Sequence, residues 1–217
     1  MAIDNLFAAG GIVMWPLLAF SILSMALILE RLIFWFRVIP RQDRLVRDVL
    51  KLYRHNPSAA YSQLERNADL PLARIFMAPL MLDRPSPEEF RLALESAGQA
   101  ELPQLRRFNT LFDTVISVAP LLGLLGTILG LMNAFASLKV GDVGGTQTAG
   151  VTEGISESLV STAAGLVVAI FTLLFTNIFR GIYRRQVALI QEQGGQLELL
   201  YRRRAEQGGY PRATTGR

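Results

Sequence analysis

The sequence predicts an all-α integral membrane protein, with three transmembrane helices and a helical cytoplasmic region. Three observations carry this. Charged residues make up 18% of the 217-residue chain, where soluble proteins average about 25%. They are unevenly placed: between Phe112 and Arg180 the only ones are Asp113, Lys139, Asp142, Glu153 and Glu157. Three uncharged runs, at 12–29, 114–138 and 158–179, have the length needed to cross a bilayer, which takes about 20 apolar residues over ~30 Å of hydrocarbon. A chain this short has no core large enough to hide all three, so a lipid bilayer is the simpler cover.

The first span covers residues 12–36, because apolar character resumes after Glu30 and Arg31 through Ile33, Phe34, Trp35 and Phe36. Trp15 and Trp35 lie near its two ends, as interfacial aromatic belts do. Glu30 and Arg31 read as interface residues, with the arginine snorkelling toward water. Residues 1–11 contain no lysine or arginine and only Asp4 as a charged side chain, whereas a secretory signal opens on a basic segment. Arg31 comes after the uncharged run 12–29, and Arg37, Arg41, Arg44 and Arg47 follow the span. The first span is therefore expected to be a retained anchor with its N-terminus outside.

The positive-inside rule orients the remainder. Twelve Lys or Arg residues fall between Arg37 and Arg107 and eight from Arg180 onward, but only Lys139 lies in the connection 139–153. The expected order is a cytoplasmic helical region at 37–113, a second span at 114–138, an outer hairpin at 139–153, a third span at 154–180 and a cytoplasmic tail at 181–217. Within the cytoplasmic region, Asn56-Pro57 and Ser86-Pro87 each put a capping residue before a proline at the first helical position, and Ser86 to Glu89 fits a capping box. The helix from Pro87 carries Phe90, Leu92, Leu94, Leu102, Leu105 and Phe108, and can run into the second span as one rod, kinked or broken at Pro103. Gly141 to Gly150 reads as a flexible turn, and Gly208 to Arg217 as a disordered end.

The basic balance, net +4 with a pI of 9.8, does not point to nucleic acid, because the basic residues flank apolar spans and form no single patch. With no cysteine and with His55 as the one histidine, disulfides, thiolate chemistry and a histidine-based site within one chain are excluded. No phosphate loop, nucleophile elbow or metal motif is present, so neither an enzyme nor a cofactor is expected. Three spans without an inverted repeat or a broken helix do not fit a solute transporter.

Steps of three and four residues keep one side of a helix in register within a left-handed bundle. On the second span Pro120, Gly123, Thr127, Gly130, Ala134 and Ser137 follow such steps; on the third, Ser158, Thr162, Gly165, Ala169, Thr172 and Thr176 do so. Each span thus has one stripe of small and weakly polar residues. Gly123, Gly126, Gly130 and Gly165 are of the kind that lets helices approach closely in lipid. The hydroxyls of Thr127, Ser158, Thr162, Thr172 and Thr176 exceed what packing needs and fit a wetted or partner-facing surface, although each can also bond its own helix. Glu157 is the only carboxylate close to lying inside the second or third span, and such acids face a cavity or a partner unless they are merely interfacial. Thr127 and Thr162 are expected within about a turn of each other in depth. No span has an acid or a base near its middle, so any midplane proton carrier must come from a partner.

The run APLLGLLGTILGLMN, Ala119 to Asn133, resembles the second span of the MotA/TolQ/ExbB proton-channel family, and GISESLVSTAAGL, Gly154 to Leu166, resembles its third. Length and span number look like ExbB or TolQ within that family. The resemblance implies a bacterial inner-membrane protein with a periplasmic N-terminus and cytoplasmic C-terminus, forming pentamers around single-span ExbD/TolR-like partners. Those partners carry a transmembrane aspartate. Ion flow, in the family, passes energy to a TonB- or TolA-like protein. Thr127, Thr162 and Glu157 match the family's second-span threonine, third-span threonine and third-span glutamate. Glu153 departs from the pattern, standing where many members have proline. The rival reading is a passive membrane scaffold for a single-span partner, without ion conduction.

Overall fold

A computed structural model describes residues 10–137 and 146–207. It is all-α, with no strand among the described residues: α1 (Met14–His55), α2 (Pro57–Glu65), α3 (Pro71–Leu80), α4 (Pro87–Leu105), α5 (Asn109–Ala136) and α6 (Thr146–Gln207). Three helical stretches, Met14–His55, Pro87–Ala136 and Gly150–Glu206, are long and apolar enough to cross a membrane. The expected disordered end lies outside the described residues, as does the first half of the expected turn. From Thr146 the second half of that turn is already helical.

The chain divides into two compact units, Met1–Arg31 with Phe108–Phe179, and Leu32–Arg107 with Arg180–Arg217. In the first unit, Val13, just before α1, and Leu17 within it pack with Ala119 of α5 and Ala169 of α6. Phe112 and Phe179 meet with ring centroids 5.9 Å apart. The outward side chains are apolar instead of charged: Ile12, Leu121, Leu124, Phe135, Leu159, Val167, Ile170 and Leu174 are all exposed. Such a surface is costly in water and suits hydrocarbon. Trp15 keeps 69% of its surface, consistent with a belt residue.

Two expectations at the C-terminal end of the first span are corrected. Trp35 is only 3% exposed and meets Phe34 edge-on at 5.2 Å, so it is a buried residue of the second unit and not a belt residue. Arg31 does not snorkel. It is 3% exposed, donates to the Glu30 carboxylate through Nε and Nη2 at 2.7 and 3.1 Å, and lies 5.2 Å from the Phe108 ring centroid. A neutralising carboxylate and an aromatic face replace water around the guanidinium.

The rod expected from Pro87 into the second span is broken, but not at Pro103. That proline sits inside α4. The helix ends at Leu105, and Phe108 then takes a left-handed conformation, φ 69°, as the N-cap of α5 with no side-chain cap. Pro103 forfeits one i→i−4 hydrogen bond, but only Gln104 and Leu105 follow it in α4, so little helix is left for a kink to displace. The left-handed residue reverses the local backbone direction and stops the helix.

The second unit has a conventional core. Val38, Leu45, Val46, Val49, Leu50 and Tyr53 form one face of α1, and they pack with Ala60 and Leu64 of α2, Leu72, Ile75 and Phe76 of α3, Phe90 and Leu94 of α4, and Leu197 and Tyr201 of α6. Phe90 and Tyr201 stack at 4.2 Å, and the Tyr201 hydroxyl donates to the carbonyl of Pro85. Arg74 of α3 ties three segments together. It donates to Glu101 of α4 at 2.7 and 2.5 Å, to Gln104 at 2.6 Å and to the carbonyl of Ala68 at 3.0 Å.

Both expected N-caps are present. Asn56 accepts from the Ala59 N–H at 3.1 Å, and Ser86 and Glu89 form the full capping box, at 3.2 Å for Glu89 N–H to the serine hydroxyl and 2.6 Å for Ser86 N–H to the carboxylate. Ser86→Ala is expected to cost about 1 kcal/mol of stability in this unit, measured by denaturant unfolding. The Ser86 backbone N–H, and then its hydroxyl, hold the Glu89 carboxyl below the ordinary glutamate value. A depressed pKa stabilises the fold above the unfolded-state value, and that contribution is lost as pH falls through the folded one, which puts the window below about pH 4. Hydrogen exchange across the first turn of α4 is expected to rise in that window, after correction for intrinsic rates, and Glu89→Gln is expected to flatten the rise.

Candidate functional site

The site is the seam between α5 and the N-terminal half of α6. The helices run antiparallel, and small residues meet along the seam: Ala119 and Gly123 against Gly165, Gly123 against Ser161 and Thr162, Gly130 against Gly154 and Ser158, and Ala134 against Gly154. The contacts are between backbones. A Cβ placed on Gly165 would lie 2.5 Å from the Ala119 carbonyl oxygen, and one on Gly154 would lie 2.6 Å from that of Gly130. Only hydrogen fits at either position. One on Gly130 would lie 2.5 Å from Ser158 Oγ and 2.8 Å from the Gly154 carbonyl oxygen. The side chain below Gly126 is Ser161, fully buried.

This closeness brings hydroxyls to the carbonyls of the opposite helix. Ser158 Oγ donates to the Thr127 carbonyl at 3.1 Å, with the Gly154 carbonyl 2.9 Å away in its own helix. Thr162 Oγ1 donates to the Gly123 carbonyl at 3.1 Å. Thr127 Oγ1 hydrogen-bonds Thr162 Oγ1 directly, and lies 3.3 Å from both the Gly123 and Ser158 carbonyl oxygens. If Thr162 donates to Gly123, it accepts from Thr127, and each proton is used once. The two threonines, expected within a turn of one another, are in contact.

The other residues singled out by sequence fall into two groups. Thr172 and Thr176 are buried, and their hydroxyls donate to the carbonyls of Val168 and Thr172 in their own helix, at 2.7 and 2.8 Å. Ser158 is buried as well. Thr127, Thr162 and Glu157 are half-buried. Glu157 does not join the threonine pair: five residues before Thr162, it is turned by about 140°, and its carboxylate lies against Gly11. Sequence reading passed over Ser161, which donates to the Ser158 carbonyl at 3.0 Å, and treated Gly154 only as a boundary. The signal was available, because a step of three from Ser158 reaches Ser161 on the same face that a step of four reaches Thr162.

The model of the MotA/TolQ/ExbB proton channel family matches residues 67–192, a stretch that contains the entire seam. The chain belongs to this family. An ExbB-like biopolymer transport protein from Synechocystis sp. is 62% identical over 195 residues, which are 90% of this chain and 93% of that one. A second ExbB-like biopolymer transport protein from the same organism is 43% identical over 147 residues, 68% of this chain and 57% of the relative. With its three long apolar helices the chain is a multi-pass membrane protein of a transport family, not of an enzyme family.

Two sets of substitutions probe the seam. Thr127→Val removes one interhelical hydrogen bond, at an expected cost of about 0.6 kcal/mol and at most ~2 kcal/mol, and Thr127→Val with Thr162→Val is expected to cost less than the sum of the singles because they share that bond. Gly165→Ala forces backbones apart and is expected to cost about 1–3 kcal/mol, whereas Gly181→Ala, with nothing within 4 Å of its added Cβ, is expected to be neutral or to stabilise α6 by up to about 1 kcal/mol. Reversible unfolding in mixed micelles measures all four.

Proposed function

We propose that this chain is the ring-forming channel subunit of an ion-driven, and specifically proton-driven, motor of the bacterial inner membrane. In this reading five copies surround the transmembrane helices of two copies of a single-span ExbD/TolR-like partner whose aspartate supplies the midplane acid. The ring energises a TonB- or TolA-like protein for transport or envelope maintenance. The N-terminus is periplasmic and the C-terminus cytoplasmic, and α5 and α6 face inward while α1 faces lipid.

The observation that carries this reading is the Thr127–Thr162 hydroxyl pair in spans that have no charged group near their middle. A proton crossing a bilayer needs polar groups to stabilise it and a titratable group to carry it. This chain offers the first and lacks the second. Membership of a proton channel family supports the same division of labour. Thr127, Thr162 and Glu157 are proposed to border the path because they keep surface outside their own chain's packing. Ser158, Thr172 and Thr176 then form its wall from behind. Gly123, Gly126, Gly130 and Gly165 hold the wall closed.

One observation favours the scaffold alternative: each of the seam hydroxyls already has an acceptor within the chain. Proton flux into liposomes separates the two readings. Reconstituted with its single-span partner, the wild-type chain is expected to conduct, Thr127→Val and Thr162→Val to conduct less while still assembling, and Glu157→Ala to lose flux. If charge is what matters at Glu157, Glu157→Gln loses flux as well; if a hydrogen bond suffices, it retains it. No flux from the wild-type complex would leave the scaffold reading. Native mass spectrometry is expected to give a pentamer, and monomers alone would contradict the ring.

A further inference from the structure

The contact between Glu157 and Gly11 joins the third span to the turn that opens the first. Gly11 has φ +68°, and a Cβ built on it would overlap Glu157 Oε1 and lie 2.7 Å from Cδ and 3.1 Å from Cγ. The collision is thus with the whole end of the glutamate side chain. The turn has little room to retreat. Gly11 accepts from the Met14 N–H at 3.2 Å and Val13 from the Leu17 N–H at 3.3 Å. Val13 and Leu17 are buried, and the Val13 Cβ lies 3.6 Å from the place a Cβ on Gly126 would occupy. The opening of α1 is therefore fixed to the seam itself, next to the residue that covers Ser161.

We infer that Gly11 is a positioning residue for Glu157: by having no side chain it lets the carboxylate lie against the opening turn of α1, away from the threonine pair. Electrostatics favour the same place. The first turn of α1 has no acidic residue of its own, and the partial positive charge at a helix start favours a carboxylate beside it. The first span then does more than anchor the chain, because it sets where the acid of the third span stands. The inference rests on the proposed ion path for its consequence, which is that residue 11 tunes the outer mouth through Glu157.

The test uses the whole 217-residue chain and six proteins: wild type, Glu157→Ala, and Gly11→Ala and Gly11→Asn each with and without Glu157→Ala. Two readouts are independent of ion flow. Thermal unfolding in detergent is expected to show Gly11→Ala lowering the midpoint when Glu157 is present and lowering it far less in the Glu157→Ala background. Labelling by a water-soluble carbodiimide with glycine ethyl ester, mapped by mass spectrometry, is expected to modify Glu157 severalfold faster in Gly11→Ala than in wild type, since the carboxylate must leave its place. The left-handed backbone adds a penalty for alanine unrelated to Glu157, so Gly11→Asn is run alongside, asparagine being tolerant of that region while still having a Cβ. Equal midpoint losses in both backgrounds, or an unchanged labelling rate, would overturn the inference. Should the Gly11 variants fail to accumulate, their recovery on adding Glu157→Ala supports it, and continued failure overturns it. A wild-type complex without proton flux would instead count against the ion path and leave the labelling result standing.

Discussion

Apolar helices gain little by meeting one another in hydrocarbon, because lipid tails cover them equally well. The seam between α5 and α6 meets this constraint with backbone contact. Where Gly165 faces Ala119 and Gly123, and Gly154 faces Gly130, no side chain intervenes. Dispersion between close backbones and a set of short-range hydrogen bonds replace the hydrophobic effect as the source of adhesion. The polar chemistry of the site depends on that approach. Ser158 reaches the Thr127 carbonyl, and Thr162 the Gly123 carbonyl, only because nothing larger than hydrogen separates the strips they stand on.

The second unit follows different physics. Its core of Phe90, Tyr201, Phe76, Leu64 and Val49 is the kind of interior that water drives together, with charged residues such as Arg74 and Glu101 near its surface. Small residues bring no backbones together there: added Cβ atoms at Gly98 and Gly195 would meet nothing within 4 Å, and one on Gly194 would meet only the end of the Leu94 side chain, at 3.0 Å. The same residue type thus means close approach in one unit and mere permissiveness in the other. The surrounding medium decides which.

The spans, the two small-residue stripes and the N-caps at Asn56 and Ser86 were legible in the sequence because each rests on local spacing or local chemistry. Features that depend on distant partners were not. Trp35 and Arg31 carry the composition of interface residues; Phe34 and Glu30 stand next to them in sequence, but the burial of both side chains, and the approach of Phe108 to Arg31, come from the fold. Pro103 looked like the place where a rod would break, yet the break falls at Phe108, whose left-handed backbone no propensity scale assigns to phenylalanine. The 62-residue length of α6 was also hidden. Leu197 and Tyr201 are locked into the core just beyond Gly194 and Gly195, and their burial keeps the backbone helical through two residues of low helix propensity. At the site, the threonines and Glu157 stood out by type, whereas the use made of Gly11 depends on a fold that brings the first and third spans together.

Because the seam is built from positions and not from bulk, it fixes the phase of each helix as well as its composition. Inserting a single residue into α5 between Gly123 and Gly130 would turn everything beyond it by about 100°, replacing hydrogen with leucine at the contacts while leaving hydropathy almost unchanged. Inserting seven would restore the face to within about 20°. Length variation within this hairpin is therefore expected to come in near-whole double turns, or to be confined to the connection between the helices, where no phase has to be kept.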